Sequence, residues 1–130
     1  MLSLVTYRRL ALALGCGFLV LAVLTKLYRG PLHVYSDAWA GDIGIVACLY
    51  FILAGFFPRL QPVFKGLVIA CVAVSVELFQ ASGIPRSWNL PAPFVWVLGS
   101  RFDIMDFGFY FIGIMIAFII DRKLVKIYER

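Results

Sequence analysis

Charge is what this chain has least of. Asp, Glu, Lys and Arg make up 15% of its 130 residues, against about 25% in an ordinary soluble domain. There is one histidine, His33, with no second histidine near it, so no His-built metal centre is expected. The three cysteines, Cys16, Cys48 and Cys71, each lie inside an apolar run and form no C-x-x-C pair. That excludes a disulfide framework and a zinc site and leaves buried, inert thiols. No G-x-S-x-G, H-E-x-x-H or Gly-rich phosphate loop occurs, so no nucleophile stands beside a base. The net charge is +5, yet the basic residues sit at the ends of apolar runs rather than along a stripe with exposed aromatics. Nucleic acid is therefore not an expected partner. No metal, cofactor or catalytic residue is expected.

What the chain does have is apolar surface. Hydrophobic residues make up 63% and aromatics 16%, and the mean hydropathy is +0.96. A soluble domain this small has too little interior for so much apolar surface. The composition points to an integral membrane protein with the lipid bilayer as its first partner.

Four apolar runs follow one another. The first is 10–28, flanked by Arg8 and Arg9 and closed by Lys26 and Arg29. Its uncharged core of 16 residues would span about 24 Å as a helix, short of a hydrocarbon core of roughly 30 Å. Snorkelling of Lys26 outward along its apolar stem would recover the length. No A-x-A-like cleavage site follows, which argues against a removed signal segment. Gly30-Pro31 then stops the helix. The second run, 42–57, opens on Asp42, where a carboxylate suits the positive end of a helix. A short Pro58–Pro62 link joins it to the third, 63–81, as between antiparallel neighbours. A long connection, 82–101, leads to the fourth, 102–120, and a charged tail closes the chain.

The expected fold is all-α: a four-helix transmembrane bundle forming one domain over 1–130. Lys and Arg in the short flanks set its orientation. Arg8, Arg9, Arg59, Lys65, Arg122, Lys123, Lys126 and Arg130 fall on one side, and Lys26, Arg29, Arg86 and Arg101 on the other. The more basic side is expected to be cytoplasmic, with both termini inside. Asp37, Asp42, Glu77, Asp103 and Asp106 then gather in the outer half, and the inner half is nearly free of polar groups. Trp39, Trp88 and Trp96 also fall outside, as interfacial anchors do.

Helical spacing sharpens this. Gly66, Ala70, Ala73, Glu77 and Gln80 recur at four, three, four and three residues and form one stripe. Asp103, Asp106, Tyr110, Gly113 and Ala117 form another at three, four, three and four. Small residues allow close helix approach, so both stripes are expected to face the bundle interior. Ala11, Gly15 and Ala22 offer a compatible stripe on the first helix. Glu77 is the most informative residue, because a carboxylate inside a membrane helix costs about 2.5–3.5 kcal/mol and needs a partner or cavity. Arg86 and Arg101 are the cations within reach along the chain. The candidate cluster is Asp42, Glu77, Gln80, Arg86, Arg101, Asp103, Asp106 and Tyr110. It is either a ligand site or a structural network.

The order of these pieces resembles the VanZ-like membrane proteins. The shared features are Glu77-x-x-Gln80, an arginine after a Gly/Pro turn (Gly83, Pro85, Arg86), and Asp103-x-x-Asp106-x-x-x-Tyr110-x-x-Gly113. The chain is more similar still to a related bacterial membrane family of unknown function. That group shares Gly30-Pro31, Gly41-Asp42 and the Leu98–Asp106 entry to the last helix, with tyrosine where VanZ has asparagine. The resemblance covers about Lys26 to Gly113. It implies a small multi-pass protein of the bacterial inner membrane with an outward polar cluster.

Three functions are open on these grounds. The first is a non-enzymatic protein whose outer cluster binds an envelope lipid or precursor headgroup, or stabilises a partner contact. The second is a proton- or ion-coupled carrier, working alone or as a homo-oligomer. The third is a membrane hydrolase or transferase using Asp103 and Asp106.

Overall fold

The computed structural model describes residues 3–94 and 102–129, without the side chains of Asp37, Ala38, Pro85, Arg86, Tyr128 and Glu129. Among the described residues the chain is all-helical, with no strand. Helix α1 spans Leu4–Leu27, α2 is the short His33–Tyr35 turn, and α3 spans Gly41–Phe56. Helix α4 spans Pro62–Ala81, α5 is Ile84–Ser87, and α6 spans Ile104–Glu129. Helices α1, α4 and α6 are long and apolar enough to cross a membrane. The 16 residues of α3 would reach about 24 Å.

The helix limits follow local chemistry. Ser3 caps α1 by accepting a hydrogen bond from the Thr6 amide at 3.1 Å, which satisfies a donor otherwise orphaned at a helix start. The helix thus begins a turn and a half before the apolar run and takes in Arg8 and Arg9. Pro62 starts α4 at a position where its missing N–H costs nothing. Gly83, at φ 75°, ends the turn after α4 in a conformation that glycine adopts without strain. The Asp103 side chain accepts from the Met105 amide at 2.9 Å and caps α6. At its far end α6 does not stop at residue 120: the segment expected to be a charged tail continues the helix to Glu129.

Helix α3 is the centre of the bundle. It packs most extensively on α1 and next on α6, while α4 lies chiefly on α6. The stripe of Ala11, Gly15 and Ala22 faces α3 as its spacing suggests, and all three are buried. Across it, Phe18 stacks on Phe51 with ring centroids 5.8 Å apart. Helices α3 and α6 touch backbone to backbone at Gly113, where a Cβ would lie 2.8 Å from the Ile43 carbonyl oxygen. Cys48 is buried as expected, whereas Cys16 and Cys71 face outward from the bundle, and all three are free thiols. Aliphatic and aromatic side chains cover the outside of α1, α4 and α6, among them Leu19, Leu67 and Phe111.

Candidate functional site

The two ends of the bundle each hold a buried polar group. At one end stand Glu77, Gln80, Tyr110, Asp42 and Asp106. Glu77 is 0% exposed and Gln80 6%. The register that places them is the one read from spacing: Gly66, Ala73, Glu77 and Gln80 all turn inward on α4. Tyr110 of α6 donates to Glu77 Oε1 at 2.8 Å. That bond joins the two stripes side by side. The other oxygen, Glu77 Oε2, is buried and has no hydrogen-bond partner.

Asp42 enters from the first turn of α3. Its carboxyl lies near that of Asp106, and Glu77 acts on both through space. Lys26 approaches the same acids and is their nearby positive charge. Its stem lies over Gly41, where an added Cβ would meet Lys26 Cε at 3.1 Å. Lys26 therefore reaches past Gly41 toward the acids at this end. The pairing of acids also differs from the spacing. Asp103 and Asp106 lie on one side of α6, but Asp103 is exposed and capped onto its own helix. The partner of Asp106 is Asp42. Arg101 and the side chain of Arg86 lie outside the described residues, and the partner seen on Glu77 is Tyr110.

Trp39, just before α3, stacks on Phe109 at 5.5 Å and tilts against Tyr35 at 4.9 Å. Trp88, after α5, meets Phe79 edge to face at 5.8 Å. Trp39 and Trp88 are both exposed, as side chains at the rim of this end.

The opposite end overturns the expectation of a nearly apolar inner half. Lys65 and Asp121 are both fully buried and form an ion pair at 3.0 Å. Tyr7 donates to Asp121 Oδ1 and accepts from Lys65 at 2.7 Å. Tyr50 shares its proton between Asp121 Oδ2 at 3.0 Å and the Pro62 carbonyl at 3.1 Å. The Lys65 ammonium also lies 5.2 Å from the centroid of the Tyr7 ring. Nearby, Arg8 Nε donates to the Gly55 carbonyl at 3.1 Å. One residue from each of α1, α3, α4 and α6 thus meets in a closed network. Sequence reasoning missed it, though a signal was present. Extending the stripes by four residues takes Ala117 to Asp121 and Ala11 back to Tyr7, and steps of four from Glu77 through Ala73 and Ile69 end on Lys65.

Comparison with known protein families finds residues 33–114 matching one described as "Protein of unknown function (DUF2809)". The chain belongs to the DUF2809 family. The match begins at the α2 turn and ends just after Gly113, so it contains Asp42, Glu77, Gln80, Asp106 and Tyr110. Tyr7 and Asp121 lie outside it. The DUF2809 match therefore covers the whole Glu77 cluster except Lys26, and only half of the Lys65 network. No curated protein matches the chain. No solved structure matches it either.

Proposed function

We propose that this chain is a non-enzymatic, VanZ-like protein of the bacterial inner membrane whose Glu77 end binds the headgroup of an envelope lipid or lipid-linked precursor. In this reading α1, α3, α4 and α6 all cross the bilayer, both termini are cytoplasmic, and the Glu77 end faces outward. The observation that carries it is Glu77 itself. It is wholly buried, one oxygen is held by Tyr110, and the other has no partner. A carboxylate held only for packing would have both oxygens satisfied, since an unpaired buried polar atom costs about 1–3 kcal/mol. The exposed cap role of Asp103 speaks against the hydrolase reading, because the two aspartates that it needs are turned to different partners.

The orientation is tested by a topology reporter fused after Ser87 or Trp88. A periplasmic signal is expected, and a cytoplasmic one overturns the outward assignment. Basic-residue asymmetry supports this orientation even with Lys65 removed from the count, since that ammonium is consumed by Asp121.

A carrier is the second reading. It is favoured by the placement of two buried polar groups at opposite ends of the same helices, with only small or apolar side chains between Lys65 and Glu77 on α4. Proton flux into proteoliposomes that disappears with Glu77→Gln supports this reading. An absence of flux under any imposed gradient rules it out.

A further inference from the structure

We propose that the group taken up at the Glu77 end is a primary ammonium, as carried by an aminated lipid headgroup such as that of phosphatidylethanolamine. This rests on the headgroup reading above and names its chemistry. The argument is one of charge and of hydrogen-bond donors. Three carboxyls converge here from three helices: Asp42 on α3, Glu77 on α4 and Asp106 on α6. Asp42 and Asp106 lie near each other, and Lys26 of α1 is the positive charge that acts on both. Tyr110 gives Glu77 a neutral donor, not a counter-charge. No positive charge is seen against the Glu77 carboxyl among the described residues, and the Tyr110 hydroxyl is its partner. Its free oxygen, fully buried, accepts no hydrogen bond. The missing piece is a group with one positive charge and at least one N–H.

A compact metal ion does not meet that description. Among the described residues no three Asp, Glu, His or Cys side chains are arranged to hold a metal. A divalent ion needs six or more oxygens at short, similar distances. An ammonium asks less, because its three N–H groups can reach separate acceptors in different directions. Glu77 Oε2 is one such acceptor, and the Asp42–Asp106 pair offers others beside it. A quaternary ammonium carries the charge without any N–H, and it would leave Glu77 Oε2 as it is. The ammonium would also have to be partly desolvated, since Glu77 is wholly buried.

The test uses the full chain purified in nanodiscs, with bound lipid read by native mass spectrometry. The probes are phosphatidylethanolamine, phosphatidylcholine and phosphatidylglycerol with identical acyl chains. Retention of the ethanolamine lipid at least ten-fold above the choline lipid is the expected result, with the preference lost in Glu77→Gln. This comparison in the wild-type protein needs no variant, so a folding defect in Glu77→Gln leaves the proposal testable. Free ethanolamine that displaces the lipid assigns recognition to the headgroup amine alone. Failure to displace, with the lipid preference intact, assigns it to the amine presented by a lipid. Both results support the ammonium site. Equal retention of choline and ethanolamine lipids overturns it. Preferential, Glu77-dependent retention of the glycerol lipid overturns the ammonium while leaving the headgroup reading in place. Indifference to all three headgroups overturns both.

Discussion

The two polar ends are built from similar parts and are completed differently. Each has a buried carboxylate facing a tyrosine, and each involves α1, α3, α4 and α6. At the Lys65 end the carboxylate of Asp121 has a cation and two phenols, so both oxygens are occupied. At the Glu77 end the carboxylate has one phenol and a free oxygen. The nearby positive charge, Lys26, faces the Asp42–Asp106 pair. A closed network in a low-dielectric interior fixes the positions of the helices that supply it, because each partner would be costly to leave alone. An open one is tolerated only where a further group completes it. On the function proposed above, the difference separates a fastening from a receptor within one small bundle.

Breaking the fastening should have the largest effect. Lys65→Met leaves Asp121 buried with two neutral donors and no counter-charge, and about 3–5 kcal/mol of stability should be lost. Asp121→Leu alone should cost a similar amount, with the Lys65 ammonium stranded. The double variant Lys65→Met/Asp121→Leu should lose clearly less than the two singles added together, since no uncompensated charge remains. Thermal unfolding in detergent measures all three. Singles within 1 kcal/mol of the parent, or strict additivity, would remove the distinction between the ends.

Much of the Glu77 end was legible in the sequence, and most of the Lys65 end was not. The stripes on α4 and α6 could be read because small residues at steps of three and four mark a close helix contact wherever it forms. Glu77 and Gln80 interrupt an apolar run, so they stand out. Lys65 and Asp121 do not. A lysine near a helix start and an aspartate heading the run Asp121-Arg122-Lys123 look like ordinary membrane-flanking charges. Only their helical phase betrays them, and phase is informative only once the helix is known to continue past residue 120. Spacing also misassigned the acids. Asp103 and Asp106 are neighbours by number, but a residue just ahead of a helix turns its carboxylate back onto that helix's own amides. The contact between Asp42 and Asp106 depends on how α3 docks, which no local pattern encodes. The spacing marks Gly113 as a small residue at a close helix contact. The structure adds that its neighbour is backbone, the Ile43 carbonyl of α3.

That contact gives an intermediate effect. A methyl group at Gly113 would sit 2.8 Å from the Ile43 oxygen, which cannot swing aside as a flexible side chain can. Gly113→Ala should push α6 from α3 and cost about 1–3 kcal/mol. Gly108, one turn and a half earlier on α6, has nothing within 4 Å of an added Cβ. Gly108→Ala should be neutral or slightly stabilising, by up to about 1 kcal/mol, through helix propensity. Equal effects at the two glycines would mean that α6 does not bear on α3 at Gly113.

The smallest effect on stability is expected where the effect on binding is largest. Glu77→Gln keeps an oxygen for the Tyr110 hydroxyl and replaces the unpartnered one with an amide. It removes a buried carboxylate that has no charge partner among the described residues, so the buried-charge cost disappears along with the proposed site. Melting temperature should change little or rise, with a stability difference of at most about 1 kcal/mol in size. Headgroup retention should nevertheless be lost. Tyr110→Phe gives the converse: it strands Glu77 Oε1 as well as Oε2 and should cost about 1–3 kcal/mol. The carboxylate remains in that variant, so retention of an ammonium headgroup should survive and should offset part of the loss by binding only the folded state. A loss of stability in Glu77→Gln as large as that in Lys65→Met would show that Glu77, like Asp121, is a fastening.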